Sequence, residues 1–135
     1  MDSLGADGGR PRRAVCVYCS SSSAVPPSHV EAARLLGAGL AERGHTLVWG
    51  GARVGLMGEL AVAARAAGGA TVGIIPASMV EREIADADAD ELVVTADMGA
   101  RKAGMAQRAD AFVALPGGFG TLEELLEQLT LRLLG

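Results

Sequence analysis

Aromatic side chains are scarce in this chain of 135 residues: one Trp, one Tyr and two Phe make up 3% of it, while half is hydrophobic. Any core must therefore be built from Ala, Val, Leu and Ile. Lysine is scarcer still, since Lys102 is the only one among twelve basic residues. The formal charge is −4 and the pI near 5.1, which argues against a nucleic-acid binder. No apolar run reaches membrane-spanning length, so no membrane partner is expected. The N-terminus lacks the apolar stretch of a secretory signal. The Gly-, Asp- and Arg-rich segment 1–13 is expected to be a disordered leader, and its Arg10-Pro11-Arg12-Arg13 cluster is too short to assign a target. The length fits one domain, or a piece of one, over residues 14–135.

Cysteine is limited to Cys16 and Cys19. Their C-x-x-C spacing suits a redox pair, but Cys16 also suits a buried strand as a small hydrophobe. No second cysteine pair or nearby histidine completes a zinc site, so no metal is expected. A reducing compartment is the simpler setting. His29 and His45 flank a predicted helix without a partner motif and are expected to be structural.

Against these absences stands an abundance of glycine, 19 residues. The densest run is Leu115-Pro116-Gly117-Gly118-Phe119-Gly120-Thr121-Leu122-Glu123-Glu124. An apolar stretch stops at Pro116, glycines open a turn, and a helical pattern begins at Thr121. Backbone N–H groups at such a helix start attract an anion, most often phosphate. An acidic residue a few positions on suggests chemistry as well as binding. Thr121-x-x-Glu124 also fits a capping box, in which both side chains serve the helix end.

Apolar strands are predicted at 14–18, 46–49, 70–75, 91–95 and 110–115, alternating with helices at 28–43, 56–67, 98–108 and 121–134. The acidic stretch 78–90 reads as a loop with a short helix. Continuously apolar strands between helices mean a parallel sheet covered on both faces, an α/β Rossmann-like doubly wound fold with about five strands. Ligands belong at the C-terminal ends of its strands. The turn Gly50-Gly51-Ala52-Arg53-Val54-Gly55 does not match G-x-G-x-x-G, and the strand before it lacks the acidic residue that would hold a ribose. A dinucleotide cofactor is therefore not supported.

Four segments converge on those strand ends: Gly50 to Gly58, Val80 to Ile84, Met98-Gly99-Ala100-Arg101-Lys102-Ala103-Gly104-Met105, and the PGGFGTLEE run. In this order they resemble the LOG family, long labelled "lysine decarboxylase-like", over about residues 14–130. The specific signatures are PGGxGTxxE and the Arg-Lys pair about fifteen residues before it. The resemblance implies a cytokinin riboside 5′-monophosphate phosphoribohydrolase. Such an enzyme hydrolyses the N-glycosidic bond between an N6-substituted adenine and ribose 5′-phosphate, without cofactor or metal. It implies Arg101 and Glu124 as the catalytic pair. It implies a nucleotide site made by Glu83, Arg101, Lys102, Gly117, Gly118, Phe119, Gly120, Thr121, Leu122, Glu123, Glu124 and Thr130. It further implies a homodimer in the cytoplasm, with the nucleus as a second compartment.

The chemistry is consistent with those residue types. Cleaving a glycosidic bond builds positive charge on the sugar, which a carboxylate can stabilise while activating water. Arginine can grip a phosphate or carboxylate with two prongs. Ala52 departs from the family's third glycine, Gly99-Ala100 from its frequent His-Glu, and the match stops after Thr130. The chain is accordingly expected to be a truncated form, with two alternatives open. One is a catalytically silent module that binds a nucleoside monophosphate. The other is a pyridoxal-phosphate decarboxylase with Lys102 as its Schiff-base lysine.

Overall fold

The computed structural model describes residues 11–135. Most of the expected leader, Met1 to Arg10, lies outside the described residues. Arg13 is already tied to the fold: its N–H donates to His45 Nδ1 at 3.1 Å, and its carbonyl accepts from the Thr46 N–H at 2.9 Å.

Five strands form one sheet: β1 (Ala14–Tyr18), β2 (Thr46–Trp49), β3 (Thr71–Pro76), β4 (Glu91–Thr95) and β5 (Ala111–Ala114). Their order across the sheet is β4-β3-β2-β1-β5, and every neighbouring pair is parallel. Four helices connect or follow them: α1 (Pro27–Glu42), α2 (Gly55–Ala66), α3 (Met98–Arg108) and α4 (Phe119–Leu134). The expected α/β Rossmann-like sheet is thus present, with strand boundaries shifted by a residue at most.

The alternation of side chains along each strand sorts the core into two halves. Val15, Val17, Leu47 and Trp49 pack against Ala33 and Leu40 of α1 and Leu56, Leu60 and Ala64 of α2. Cys16, Tyr18, Val48 and Ile74 face the other way, against Met105 of α3 and Phe112 of β5. The Tyr18 and Phe112 rings stack at 5.9 Å between centroids.

This sorting decides the role of the cysteines. Cys16 and Cys19 belong to opposite faces of the sheet and are both free thiols. Burial pushes both up to about 12, so they stay protonated and inert. The redox reading of the C-x-x-C fails on geometry.

The capping box fails in the same way. Helix α4 starts two residues earlier than its sequence pattern suggests. Gly118 is the N-cap, without a side-chain cap, and Thr121 is the third helical residue. Thr121 and Glu124 therefore do not close reciprocal hydrogen bonds around a helix end.

The segment between β3 and β4 is a short 3-10 turn at Ala77–Met79 followed by further turns, with Ile84 at φ 51°. It is pinned to the loop after β2 by the Ala52–Ala85 bridge and by Asp86 N–H donating to the Gly51 carbonyl at 2.8 Å. The chain leaves β1 toward β2 on one side, while β5 lies on the other. The crevice of a doubly wound sheet opens above such a divide. Among the described residues β5 pairs only with β1.

Candidate active site

Arg101 lies in the first turn of α3, where Asp97 caps the helix by accepting the Ala100 N–H at 2.8 Å. An arginine in a first turn would ordinarily project into water. This one is 3% exposed. Its Nε donates to the Ile74 carbonyl at 2.9 Å and its Nη2 to the Gly50 carbonyl at 2.5 Å. Nη2 also reaches Glu83 Oε1 at 3.3 Å, an ion pair in which both side chains are largely buried. The guanidinium is thus fixed against the ends of β2 and β3 and the loop after β3. Nη1 has the Met98 thioether at 3.8 Å, a weak acceptor that leaves most of its donor capacity for a ligand.

Facing this arginine is the start of α4. Pro116 to Gly118 turn the chain out of β5, and a Cβ at Gly117 would collide with the Thr121 side chain. Glycine there lets Thr121 tuck behind the turn as the one buried residue of α4. The first N–H groups of a helix have no intrahelical partner, and no side chain caps them in α4.

One turn along, Glu124 is half-buried. Burial pushes its carboxyl from 4.5 to about 7; the neighbouring Arg101 pulls the other way, and Glu123 and Glu83 add to the rise. A carboxylic acid poised near neutrality in a cleft is equipped for proton transfer.

A cleft of about 220 Å³ joins these parts. Glu83, Arg101, Gly118, Gly120, Thr121, Glu123 and Glu124 line it. The remaining residues implied from sequence lie elsewhere. Gly117 sits behind Thr121. Phe119, 92% exposed, lines a separate groove on α4 with Leu122 and Thr130. Lys102 points away from Arg101 and pairs with Glu123 and Glu127.

The cleft also contains residues that the sequence did not assign to the site. Cys19, Ser20 and Ser21 follow β1, and Met57, Met79 and Met98 supply apolar wall. Placing the serines required only the rule that ligands lie beyond the strand ends. Met57 reads as core filler in sequence, and burial alone supports that, but it also faces the cleft beside Arg101. Another unforeseen feature is the Arg65–Asp86 ion pair at 2.9 Å, which anchors the loop carrying Glu83.

Comparison with known proteins places this geometry. A protein from Mycobacterium marinum named cytokinin riboside 5′-monophosphate phosphoribohydrolase is 54% identical over 124 residues, covering 92% of this chain and 66% of the relative. One of the same name from Mycobacterium tuberculosis is 54% identical over 90% of this chain and 64% of its own length. The rice protein cytokinin riboside 5′-monophosphate phosphoribohydrolase LOG is 47% identical over 91% of this chain and 51% of its own. The chain therefore spans between about half and two thirds of the length of these curated relatives.

Among solved structures, the molybdenum cofactor carrier protein of Chlamydomonas reinhardtii superposes with a TM-score of 0.77 at 26% identity, over 90% of this chain and 72% of that one. The molybdenum cofactor binding protein of Rippkaea orientalis gives 0.73 at 27% identity, over 93% and 74%. A family model described as "Possible lysine decarboxylase" matches residues 57–135, from the α2 turn through Arg101 to the end of α4. With Arg101 meeting Gly118, Gly120, Thr121 and Glu124 of PGGxGTxxE in one cleft, this chain belongs to that family, the LOG family.

Proposed function

We propose that this chain hydrolyses the N-glycosidic bond of N6-substituted adenosine 5′-monophosphates, the cytokinin riboside 5′-monophosphates, releasing the free base and ribose 5-phosphate. The observation that carries the reading is the half-buried Glu124, with its carboxyl near neutrality, across a cleft from the fixed Arg101. The start of α4 at Gly118 to Thr121 offers N–H donors to the 5′-phosphate. Arg101 Nη1 offers a further donor to the nucleotide, while Glu83 holds the rest of the guanidinium in place. The methionines around the cleft give an adaptable apolar wall against which a purine can lie.

In the reaction the bond from the sugar's anomeric carbon to the base breaks, and its electron pair leaves with the base, which takes up a proton. Positive charge develops on the sugar. Ionised Glu124 stabilises it and accepts a proton from the water whose oxygen bonds to that carbon. Burial holds the Glu124 carboxyl near neutrality, at about 7, so both protonation states are accessible.

A pyridoxal-phosphate decarboxylase would need Lys102 as a neutral amine. Its hydrogen bonds to Glu123, and then Glu127, raise its pKa and hold it protonated, so it does not fit a Schiff-base role. The same reading takes the working form to be a cytoplasmic homodimer, in which the half-exposed Leu122, Leu126 and Leu129 are available for a partner to cover.

The test is direct: incubate the purified chain with isopentenyladenosine 5′-monophosphate and with AMP, and separate the products by chromatography. Released base, faster from the N6-substituted nucleotide, supports the reading. Tight nucleotide binding without base release overturns it in favour of a silent binding module.

A further inference from the structure

Arg101 Nη1 faces the sulfur of Met98 at 3.8 Å. The two residues are three apart in the first turn of α3, so their side chains share one face of the helix. The rest of the guanidinium is committed: Nε to the Ile74 carbonyl, and Nη2 to the Gly50 carbonyl and Glu83. A thioether accepts only weakly. The donor left for an anion is therefore the one that Met98 covers.

Met98 is also the most open sulfur among the described residues. It is 41% exposed and lines the cleft. Met57 and Met105 are buried, and Met79 is half-buried. Cys16 and Cys19 are buried as well, and that burial keeps both thiols protonated. Peroxides attack the thiolate, so these two sulfurs react slowly. A small oxidant entering the cleft meets Met98 first.

Oxidation changes what that sulfur offers. A sulfoxide puts a polar oxygen where an apolar thioether stood. Directed at Nη1, that oxygen closes the present gap to ordinary hydrogen-bond length. It then occupies the donor that an anionic ligand would use.

We propose that Met98 is a reversible oxidation site whose sulfoxide caps Arg101 Nη1 and so weakens nucleotide binding in the cleft. The oxidant is hydrogen peroxide. A sulfur lone pair forms the S–O bond as the O–O bond breaks. The departing hydroxide takes the proton of the transferred oxygen and leaves as water. Sulfur loses two electrons and the peroxide gains them. A sulfoxide reductase reverses the step with a dithiol, which becomes a disulfide while the oxygen departs as water. This rests on the hydrolase reading only for its effect on turnover; the oxidation and the new contact to Arg101 are independent of it.

The experiment treats the purified chain with dilute hydrogen peroxide and begins with two measurements that need no activity. Peptide mass spectrometry should find the added oxygen on Met98 before it appears on Met57, Met79 or Met105. Oxidation of any of those three as fast as Met98 overturns the proposal. NMR of nitrogen-labelled arginine side chains should show the Arg101 Nη1 protons exchanging more slowly with water once Met98 is oxidised. Unchanged Arg101 signals in the oxidised chain also overturn it. A chain that releases no base is still judged by these two results.

The third measurement is steady-state kinetics on isopentenyladenosine 5′-monophosphate. Oxidation should raise KM roughly 10-fold, as expected for the loss of one hydrogen bond to a charged group, with a smaller change in kcat. The two methionine sulfoxide reductases, one for each sulfoxide epimer, should restore the original KM. Met98→Leu has no sulfur at this position, so its KM, compared with its own untreated sample, should not respond to peroxide. Met98→Gln brings an amide oxygen toward Nη1 and should raise KM without any oxidant. If peroxide raised the KM of Met98→Leu as much as that of the parent chain, the sensitive group would lie elsewhere and the proposal would fall. An oxidised parent chain with an unchanged KM would overturn it equally.

Discussion

The Gly50 carbonyl accepts from Arg101 Nη2, and a Cβ on Gly50 would collide with that same nitrogen and press on the Met57 thioether. The glycine therefore serves as acceptor and leaves space at one point. Gly50→Ala should push the guanidinium off its seat while most of the buried core remains in place. The expected loss is about 1–3 kcal/mol of stability from overpacking, and a fall in kcat/KM of roughly 100-fold from misplacing a group in the site. Urea unfolding and base-release kinetics on the same preparation check both. Unchanged kinetics in a folded Gly50→Ala protein would separate Arg101 from the reaction.

Glu124→Gln should abolish base release and leave nucleotide binding largely intact, because the amide keeps the shape but cannot carry the charge the transition state needs. It should also alter stability in a pH-dependent way. The folded-state pKa of Glu124 is raised, so its contribution is fully present below the unfolded value of 4.5 and is lost as pH rises through about 7. That difference corresponds to on the order of 3 kcal/mol. Relative to the parent chain, Glu124→Gln should gain by about this amount between about pH 4 and about pH 8.5. Urea midpoints at the two pH values measure it. A constant difference across that range would mean that the carboxyl is not buried as described.

Much of this was legible in the sequence, for identifiable reasons. Continuously apolar strands such as Ala14–Tyr18, alternating with helical patterns, specify a parallel sheet. The spacing of Arg101 and Glu124 relative to those strands places both near strand ends. What pattern alone could not supply was orientation. Thr121 followed by Glu124 has the spacing of a cap, yet the glycines let α4 begin earlier and put Thr121 inside. Glu83 looks like surface in an acidic stretch, because its burial depends on Asp86 and Arg65 drawing that loop inward from distant positions. Lys102 and Arg101 are adjacent in sequence, and only the packing of α3 between the cleft and α4 gives them different partners.

Removal of the 5′-phosphate should weaken a substrate severely. The uncapped start of α4 and Arg101 Nη1, whose one contact is the weakly accepting Met98 thioether, offer donors to an anion, and binding energy gained away from the reacting bond can be used at it. Isopentenyladenosine should therefore react at least roughly 100-fold more slowly than its monophosphate in kcat/KM. Equal rates would make the site a general nucleosidase and remove the phosphate from the role given to α4.

The last expectation concerns Asp86, which is 0% exposed although charged. Its Oδ2 accepts from Arg65 Nη2 at 2.9 Å and its Oδ1 from the Asp88 N–H at 3.1 Å. Among the described residues Arg65 Nη1 is buried without a partner, and Asp86 is the carboxylate that pairs with the guanidinium. Removing one member of a buried pair leaves the other uncompensated, which typically costs about 3–5 kcal/mol. Asp86→Ala should fall toward that range in urea unfolding, discounted because Arg65 retains some access to water. The same change frees the loop that holds Glu83 against Arg101. Asp86→Asn keeps an acceptor for Arg65 and for the Asp88 N–H, so it should unfold less readily than Asp86→Ala and retain more turnover. If both variants lost stability and turnover equally, the charge itself would be what holds the loop. If Asp86→Ala were as stable and active as the parent chain, the Glu83 loop would be held by its backbone bonds to Gly51 and Arg53 alone.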